Sequence, residues 1–167
     1  IGTIVAFYQS VYPYHGNDLF FPVCAANAVY NGVDPYGGDC KIIYQNREYP
    51  TNPMTTIWAA LPFAWLGDNI APIVLWSVTN AILFYGIFRS GRTYLLWMLL
   101  SPVYLLDLNH LQWSPLITGI VLLPDLLPLS IVKPHSAIAV ILTNLNKKRF
   151  LGLVVFGILT LIFDPTW

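Results

Sequence analysis

The chain has 167 residues, of which 56% are hydrophobic, 15% are aromatic and only 10% are charged. Soluble domains carry about 25% charged residues, so this composition cannot cover a water-facing surface in the usual way and favours a membrane protein. Eight basic residues balance eight acidic ones and form no long basic stripe, which argues against a nucleic-acid partner.

The chain begins with an apolar run, residues 1–7, that lacks the basic flank and the cleavage site of a signal peptide. We interpret residues 1–11 as the end of a first transmembrane helix, and we expect the chain to be part of a longer protein. Tyr12 and Tyr14 follow this run, and aromatic side chains of this kind favour the headgroup region of a bilayer.

Residues 12–53 form the most polar stretch, with four of the eight acidic residues and both cysteines. Residues 19–30 within it have the pattern of a helix that Asn17 or Asp18 caps and that the following Asn-Gly pair ends. This helix is too short to span a bilayer, which needs roughly 20 residues, so we expect an interfacial helix in an exoplasmic loop. A turn rich in proline and glycine is predicted next, at residues 33–38.

The remainder of the chain, residues 54–167, is predicted to form transmembrane and half-membrane helices. Residues 53–66 are apolar but too short for a full span, whereas residues 69–88 carry no charge and have the length of a transmembrane helix. Arg89 and Arg92 follow, which places that end in the cytoplasm by the positive-inside rule.

The next span is predicted at residues 94–106 and returns the chain to the exoplasmic side. Prolines interrupt residues 113–145, which indicates broken helices covered by protein or by a wet cavity. Residues 146–149 form a second basic cluster, also predicted to be cytoplasmic, and residues 150–163 form the last span. The sequence therefore predicts an all-α fold, a polytopic transmembrane helical bundle in a single membrane domain, with the number of full spans left open.

Asp18 lies just beyond the predicted mouth of the first helix, at the boundary between water and membrane. A carboxylate in this position has the chemistry of a general base. The same residue also fits a helix N-cap, because its side-chain oxygen accepts hydrogen bonds from the first helical turn. Both interpretations stay open, and one residue can have both roles.

Lys133 lies in an apolar segment and precedes a proline. A lysine inside an apolar segment is costly, so its default interpretation is functional, with an anionic partner such as a phosphate. The alternative is a lysine near a helix end whose ammonium group reaches the interface. His135 lies two residues further on, and an extended step before Pro134 would let both side chains face the same cavity.

His110 and Gln112 belong to a short polar island, residues 107–112, between apolar runs. Their side chains can donate hydrogen bonds to a phosphate or a sugar, or they cap helix ends in the headgroup zone. The histidines and cysteines show no metal-ligand spacing, and no nucleotide-binding or hydrolase motif occurs, so no metal and no cofactor are predicted. Cys24 and Cys40 both lie in the exoplasmic segment, where a disulfide is permitted, but their spacing leaves the pairing open.

Several short motifs, in this order, resemble the N-terminal part of the polytopic GT-C glycosyltransferases, specifically the bacterial polyprenol-phosphate-mannose-dependent mannosyltransferase-like proteins of glycosyltransferase family 87. The motifs are Asn17-Asp18-Leu-Phe-Phe, the small-residue helix and G-x-D-P-Y turn of residues 25–36, Tyr49-Pro-Thr-Asn-Pro53 before Leu61-Pro-Phe, Asn109-His-Leu-Gln112 and Val132-Lys-Pro-His135. The chain departs from the family in three ways. The second proline of Y-x-P-P is displaced, the glycine of a G-Q motif is absent, and the chain is less than half the usual length.

The resemblance implies transfer of a sugar, mannose by analogy, from a polyprenyl-phosphate donor to an exoplasmic glycan or lipid acceptor in the bacterial cytoplasmic membrane. Asp18 is then the general base, and Lys133, helped by His135 or Gln112, holds the donor phosphate. The other residues with a predicted substrate-binding role are His110, Asp34, Tyr36 and Arg47. Membrane lipid and other membrane subunits are further predicted partners.

Two other functions stay open. One is a non-catalytic integral membrane subunit of a larger complex, whose aromatic residues contact lipid, pigment or neighbouring helices. A transporter or channel segment has less support, because the sequence shows no internal repeat. Convergence of Asp18, Lys133 and His110 or Gln112 on one lipid-accessible cavity would favour the enzyme.

Overall fold

The computed structural model describes residues 18–36, 42–44, 47–49 and 54–163. Helices account for nearly all regular structure in these residues, which confirms the all-α prediction at this level. The α-helices are α1 (Phe20–Tyr30), α2 (Met54–Ala60), α3 (Gly67–Arg89), α4 (Pro102–His110), α5 (Ser114–Leu122), α6 (Pro134–Asn144) and α7 (Lys147–Phe163), and the 3-10 helices are η1 (Leu61–Leu66), η2 (Thr93–Leu100) and η3 (Pro124–Val132). A short antiparallel hairpin, β1 (Ile42–Tyr44) and β2 (Arg47–Tyr49), was not predicted. The predicted helix at residues 1–11 lies outside the described residues.

The chain divides into two compact units. The first comprises Ile1–Ser77 and Leu108–Gln112, and the second comprises Val78–Asp107 and Trp113–Trp167. The long helix α3 contributes residues to both units.

In the first unit, α1 packs against α2 and η1. The buried face of α1 includes Phe21, Val23, Ala25 and Ala26, all of them fully buried. Its two alanines are small, so neighbouring backbone can approach closely at these positions. The short α2 and η1 occupy the segment predicted to be too short for a full span, and α1 begins and ends within one residue of its predicted bounds.

In the second unit, η3 packs against α5, α6 and α7. Prolines set its limits. Leu123 precedes Pro124 with φ −125° and ψ 72°, and Lys133 precedes Pro134 with φ −136° and ψ 71°. Both residues have left the α-helical region because the proline ring clashes with a helical residue before it. The prediction of broken helices between residues 113 and 145 is confirmed.

The predicted continuous span at residues 94–106 is wrong. The chain forms η2 and then α4 in this region, with a break at Ser101 (φ −72°, ψ 146°). Pro102 follows, and it disfavours helical geometry at the preceding residue. The apolar composition of this segment did not predict the helix break that this single proline causes.

Two glycines hold α3 and α5 close together in the second unit. A Cβ atom built on Gly119 would lie 2.9 Å from Ile82 Cγ2 and 3.1 Å from the backbone nitrogen of Leu83. A Cβ atom on Gly86 would lie 3.0 Å from Leu122 Cβ. Only residues without a side chain permit this approach of two helices.

The two predicted basic clusters lie at one end of the second unit. Arg89 and Asp125 line the same groove. The Arg149 guanidinium forms an ion pair with Asp125 at 3.2 Å, and it also donates a hydrogen bond to the Asn144 carbonyl oxygen at 3.0 Å. We call this region, comprising Arg89, Arg92, Asp125 and Lys147 to Arg149, the basic end. The structure therefore brings together the two clusters that the sequence assigned to one side of a membrane.

Replacement of Gly119 by alanine is expected to lower the stability of the second unit by roughly 1–3 kcal/mol, because the new methyl group overpacks the contact with α3. Gly157→Ala is the matched control. Its Cβ atom would lie 3.7 Å from Ile131 Cδ1, an ordinary contact distance. Thermal unfolding of the two variants in detergent checks the prediction, and equal midpoints would contradict it.

Candidate functional site

Asp18 lies in the turn that leads into α1. It is half-buried, and the residues that follow it anchor this turn, because Leu19 and Phe21 are fully buried. Leu19, rather than Asp18, occupies the N-cap position of α1, one residue later than predicted, and its side chain makes no capping hydrogen bond. The position of Asp18 therefore depends on the packing of its apolar neighbours.

A hydrogen bond joins this turn to the polar island. The peptide N–H of Asp18 donates to the carbonyl oxygen of His110 at 3.0 Å. His110 is the last residue of α4 and is half-buried, as is Gln112. The first unit thus brings together the backbones of Asp18 and His110, two predicted site residues that lie about ninety positions apart in the sequence.

The turn after α4 has an unusual backbone. Leu111 has φ +46° and is the one non-glycine residue with positive φ in the described part of the chain. Its side chain is fully buried. A bulky residue in this conformation costs of order 1–3 kcal/mol, and such strain persists where the surrounding structure enforces it. Burial of the Leu111 side chain keeps the backbone in this conformation, and the conformation sets the direction of the chain at Gln112.

These residues form what we call the Asp18–His110 site. Its three residues are each half-buried and carry a carboxylate, an imidazole and an amide. A carboxylate can accept a proton from an attacking hydroxyl, and imidazole and amide groups can donate hydrogen bonds to sugar or phosphate oxygens. The arrangement suits recognition of a polar substrate at a partly apolar surface.

Asp34 and Tyr36 have local structural contacts. The Asp34 carboxylate accepts a hydrogen bond from the Tyr36 peptide N–H at 2.9 Å. This bond closes an Asx turn over residues 34–36. The Tyr36 ring packs against Phe21, with centroids 6.4 Å apart. The predicted turn is confirmed over residues 33–36, where it places the Tyr36 ring against α1, while residues 37 and 38 lie outside the described residues. Arg47 lies on β2 opposite Tyr44, and its side chain is outside the described residues.

Lys133 and His135 belong to the second unit. Lys133 is the N-cap residue of α6 and is half-buried, and its carbonyl oxygen accepts hydrogen bonds from the peptide N–H groups of Ser136 and Ala137, both at 3.1 Å. His135 lies in the first turn of α6 and is exposed. The backbone of Lys133, with φ −136° and ψ 71°, has left the helical region but is not in the extended conformation that was predicted before Pro134.

The second unit contains polar pairs that the sequence analysis did not select. The Tyr104 hydroxyl donates a hydrogen bond to Asn80 Oδ1 at 2.6 Å, and Asn80 is 5% exposed. The Ser114 hydroxyl donates to the Asp107 carboxylate at 3.2 Å. A buried amide needs such a partner, because burial without a hydrogen bond is costly. The available signal was the position of Asn80 in the middle of the uncharged run.

No family model, no curated protein and no solved structure matches the chain. Within the described residues, no three or more histidine, cysteine, aspartate or glutamate side chains form a group that could hold a metal ion.

Cys24, on the buried side of α1, is part of a disulfide. The sequence left open whether Cys24 is paired, and in the structure it is. Cys40 lies outside the described residues. Disulfides form and persist in oxidising compartments.

Under denaturing conditions, the wild-type chain is expected to react with a maleimide polymer only after reduction. Cys24→Ser is expected to add one polymer without reduction, because this variant leaves the second cysteine without its partner. Gel mobility measures both results. Modification of the unreduced wild-type chain would contradict the disulfide.

Proposed function

We propose that the chain acts as a membrane glycosyltransferase that transfers a sugar, mannose by the family resemblance, from a polyprenyl-phosphate donor to an exoplasmic acceptor. The observation that carries the proposal is the hydrogen bond from the Asp18 peptide N–H to the His110 carbonyl oxygen. It holds the predicted general base beside the polar island, which the resemblance makes a second part of the site.

The proposed reaction needs one proton acceptor and stabilisation of the leaving phosphate. The acceptor hydroxyl oxygen bonds to the anomeric carbon of the sugar while the bond from that carbon to the phosphate oxygen breaks. The hydroxyl proton passes to the Asp18 carboxylate, and the polyprenyl phosphate leaves with the bonding electron pair. His110 and Gln112 are the proposed hydrogen-bond donors to the sugar. Lys133 and His135 keep the phosphate-binding role that the sequence resemblance implies.

The backbone at Leu111 gives further support. The family that the chain resembles has a glycine before the glutamine of its G-Q motif, and Leu111 occupies this position before Gln112. Its φ of +46° is in the left-handed region that glycine adopts readily. A glycine at this position would adopt the same backbone without the strain that the leucine side chain causes.

Membrane placement is proposed from two features of the helices. Within the described residues, one helix, Asn69–Arg89, is long and apolar enough to cross a membrane. Helix α7 also has an exposed apolar face, formed by Leu151, Val154, Val155, Ile158 and Leu159. These positions follow the spacing of one helical face, and soluble monomers rarely expose a continuous apolar surface of this extent. Contact with lipid would cover this face.

Replacement of Asp18 by asparagine is expected to lower sugar transfer by about 100- to 10,000-fold, the usual contribution of a general base. Asparagine preserves the size of the side chain, and the hydrogen bond to His110 comes from the peptide N–H and so does not depend on the substitution. The measurement is transfer of radiolabelled mannose from polyprenyl-phosphate-mannose to acceptors in membranes from cells that express the protein.

Asp18→Glu is the matched variant, because it keeps the carboxylate and moves it by one methylene. Its transfer rate is expected to lie between those of the wild type and Asp18→Asn. Retention of the Cys24 disulfide in each variant shows that the first unit has folded. Equal transfer by the wild type and Asp18→Asn would remove the proposed base.

The membrane orientation is tested by single cysteine substitutions at Arg92 and Lys148, both exposed residues of the basic end. A membrane-impermeant maleimide is expected to label both only after the cells are permeabilised. Val33→Cys, at a position that is 58% exposed beside α1, is the control and is expected to react in intact cells. Labelling of Arg92→Cys and Lys148→Cys from opposite sides would contradict the proposed topology.

A second function is a non-catalytic subunit of a membrane complex. The observation that favours it is the exposure of Tyr94 and Trp97 on η2, which are 66% and 75% exposed. Aromatic side chains are enriched at interfaces between proteins. Absence of transfer by wild-type membranes, together with co-purification of other membrane polypeptides in fixed ratio, would replace the transferase with this function.

A further inference from the structure

The second unit contains a groove beside the basic end. It has a volume of about 690 Å³, within the range of about 300–1,000 Å³ that is typical of ligand sites. Five of its lining residues come from α3, namely Val78, Ala81, Ile82, Tyr85 and Arg89. Their spacing places them on one face of the helix, with the arginine at its C-terminal end. The rest of the wall is formed by residues 122–126.

The length of the groove matches one leaflet of a bilayer. The eleven residue-to-residue steps from Val78 to Arg89 rise about 16 Å along a helix, at about 1.5 Å per step. The hydrocarbon core of a bilayer is about 30 Å thick, so the α3 wall covers about half of it. Apolar side chains form most of this wall. One fatty acyl chain of a phospholipid, lying alongside α3, has the required length and polarity.

The charges at the Arg89 end of the groove determine which phospholipid headgroup would bind there. Asp125 is paired with Arg149, so its negative charge is already compensated. Arg89 is exposed and makes no ion pair in the described part of the chain, as is also true of Lys147 and Lys148 nearby. The basic end thus has five cations and one carboxylate. Such a surface attracts an anionic headgroup and gains little from a zwitterionic one.

We propose that this groove is a binding site for an anionic phospholipid, with its phosphate at Arg89 and an acyl chain along Val78, Ala81, Ile82 and Tyr85. The proposal shares only the membrane placement with the proposed function and does not depend on sugar transfer. Loss of lipid binding with normal transfer, or the reverse, therefore separates the two proposals.

The test uses the purified protein in detergent, titrated with dioleoyl phosphatidylglycerol or dioleoyl phosphatidylcholine, with bound lipid counted by native mass spectrometry. The wild type is expected to bind phosphatidylglycerol at least about fivefold more tightly, since one cation near an anionic headgroup contributes about that factor. Equal affinity for the two lipids would overturn the headgroup assignment.

Arg89→Gln and Arg92→Gln form a matched pair, because both remove one charge from an exposed arginine of the basic end and only Arg89 lines the groove. Arg89→Gln is expected to weaken phosphatidylglycerol binding about fivefold, and Arg92→Gln by less than twofold. Equal weakening by both variants would mean that net charge alone attracts the lipid, and it would overturn the proposed site.

Ala81→Trp tests the position of the acyl chain. Ala81 is exposed in the groove, so the larger side chain can occupy the groove without entering the core. It is expected to weaken binding of both lipids at least fivefold while the unfolding midpoint in detergent stays that of the wild type. Unchanged binding by a folded Ala81→Trp variant would overturn the proposed path of the acyl chain.

Discussion

The constraint on which the rest of the structure depends is the conflict between an apolar chain and its thirteen prolines. An apolar environment requires that backbone N–H and C=O groups be paired within helices, whereas each proline removes one donor and disfavours helical geometry at the residue before it. The chain therefore forms mostly short α-helices, several of which are joined by 3-10 segments. The breaks at Ser101, Leu123 and Lys133 each immediately precede a proline.

These breaks determine where polar groups can lie. Asp125 follows one proline and pairs with Arg149, and Lys133 is the N-cap residue before another. Helix α4 ends within the polar island. The chain turns there at Leu111, whose backbone is in the left-handed region, and no proline follows it directly. Helix ends leave backbone groups without intrahelical partners, so polar side chains and strained turns are expected to gather there. The proposed chemistry depends on these helix ends, while the helix interiors provide packing.

The candidate site residues are held in place differently in the two units. In the first unit, buried apolar neighbours hold Asp18, and one backbone hydrogen bond connects it to His110. In the second unit, glycines at the contact allow α3 and α5 to pack closely. Ile82 and Leu122, which contact these glycines, also line the groove. The small residues that permit close packing therefore also shape the proposed lipid site.

The sequence by itself determined the helical character of the chain, the interfacial-length helix α1 and the broken helices after residue 113, because hydropathy and proline position act locally. It did not predict the break at Ser101, where one proline outweighs apolar composition, nor the pairing of Asn80 with Tyr104. Only the tertiary structure brought Asp18 to His110 and Asp125 to Arg149, since these contacts join distant segments and depend on how buried side chains pack. The same packing decided that Leu111 adopts a glycine-like backbone, a conformation that its own side chain disfavours.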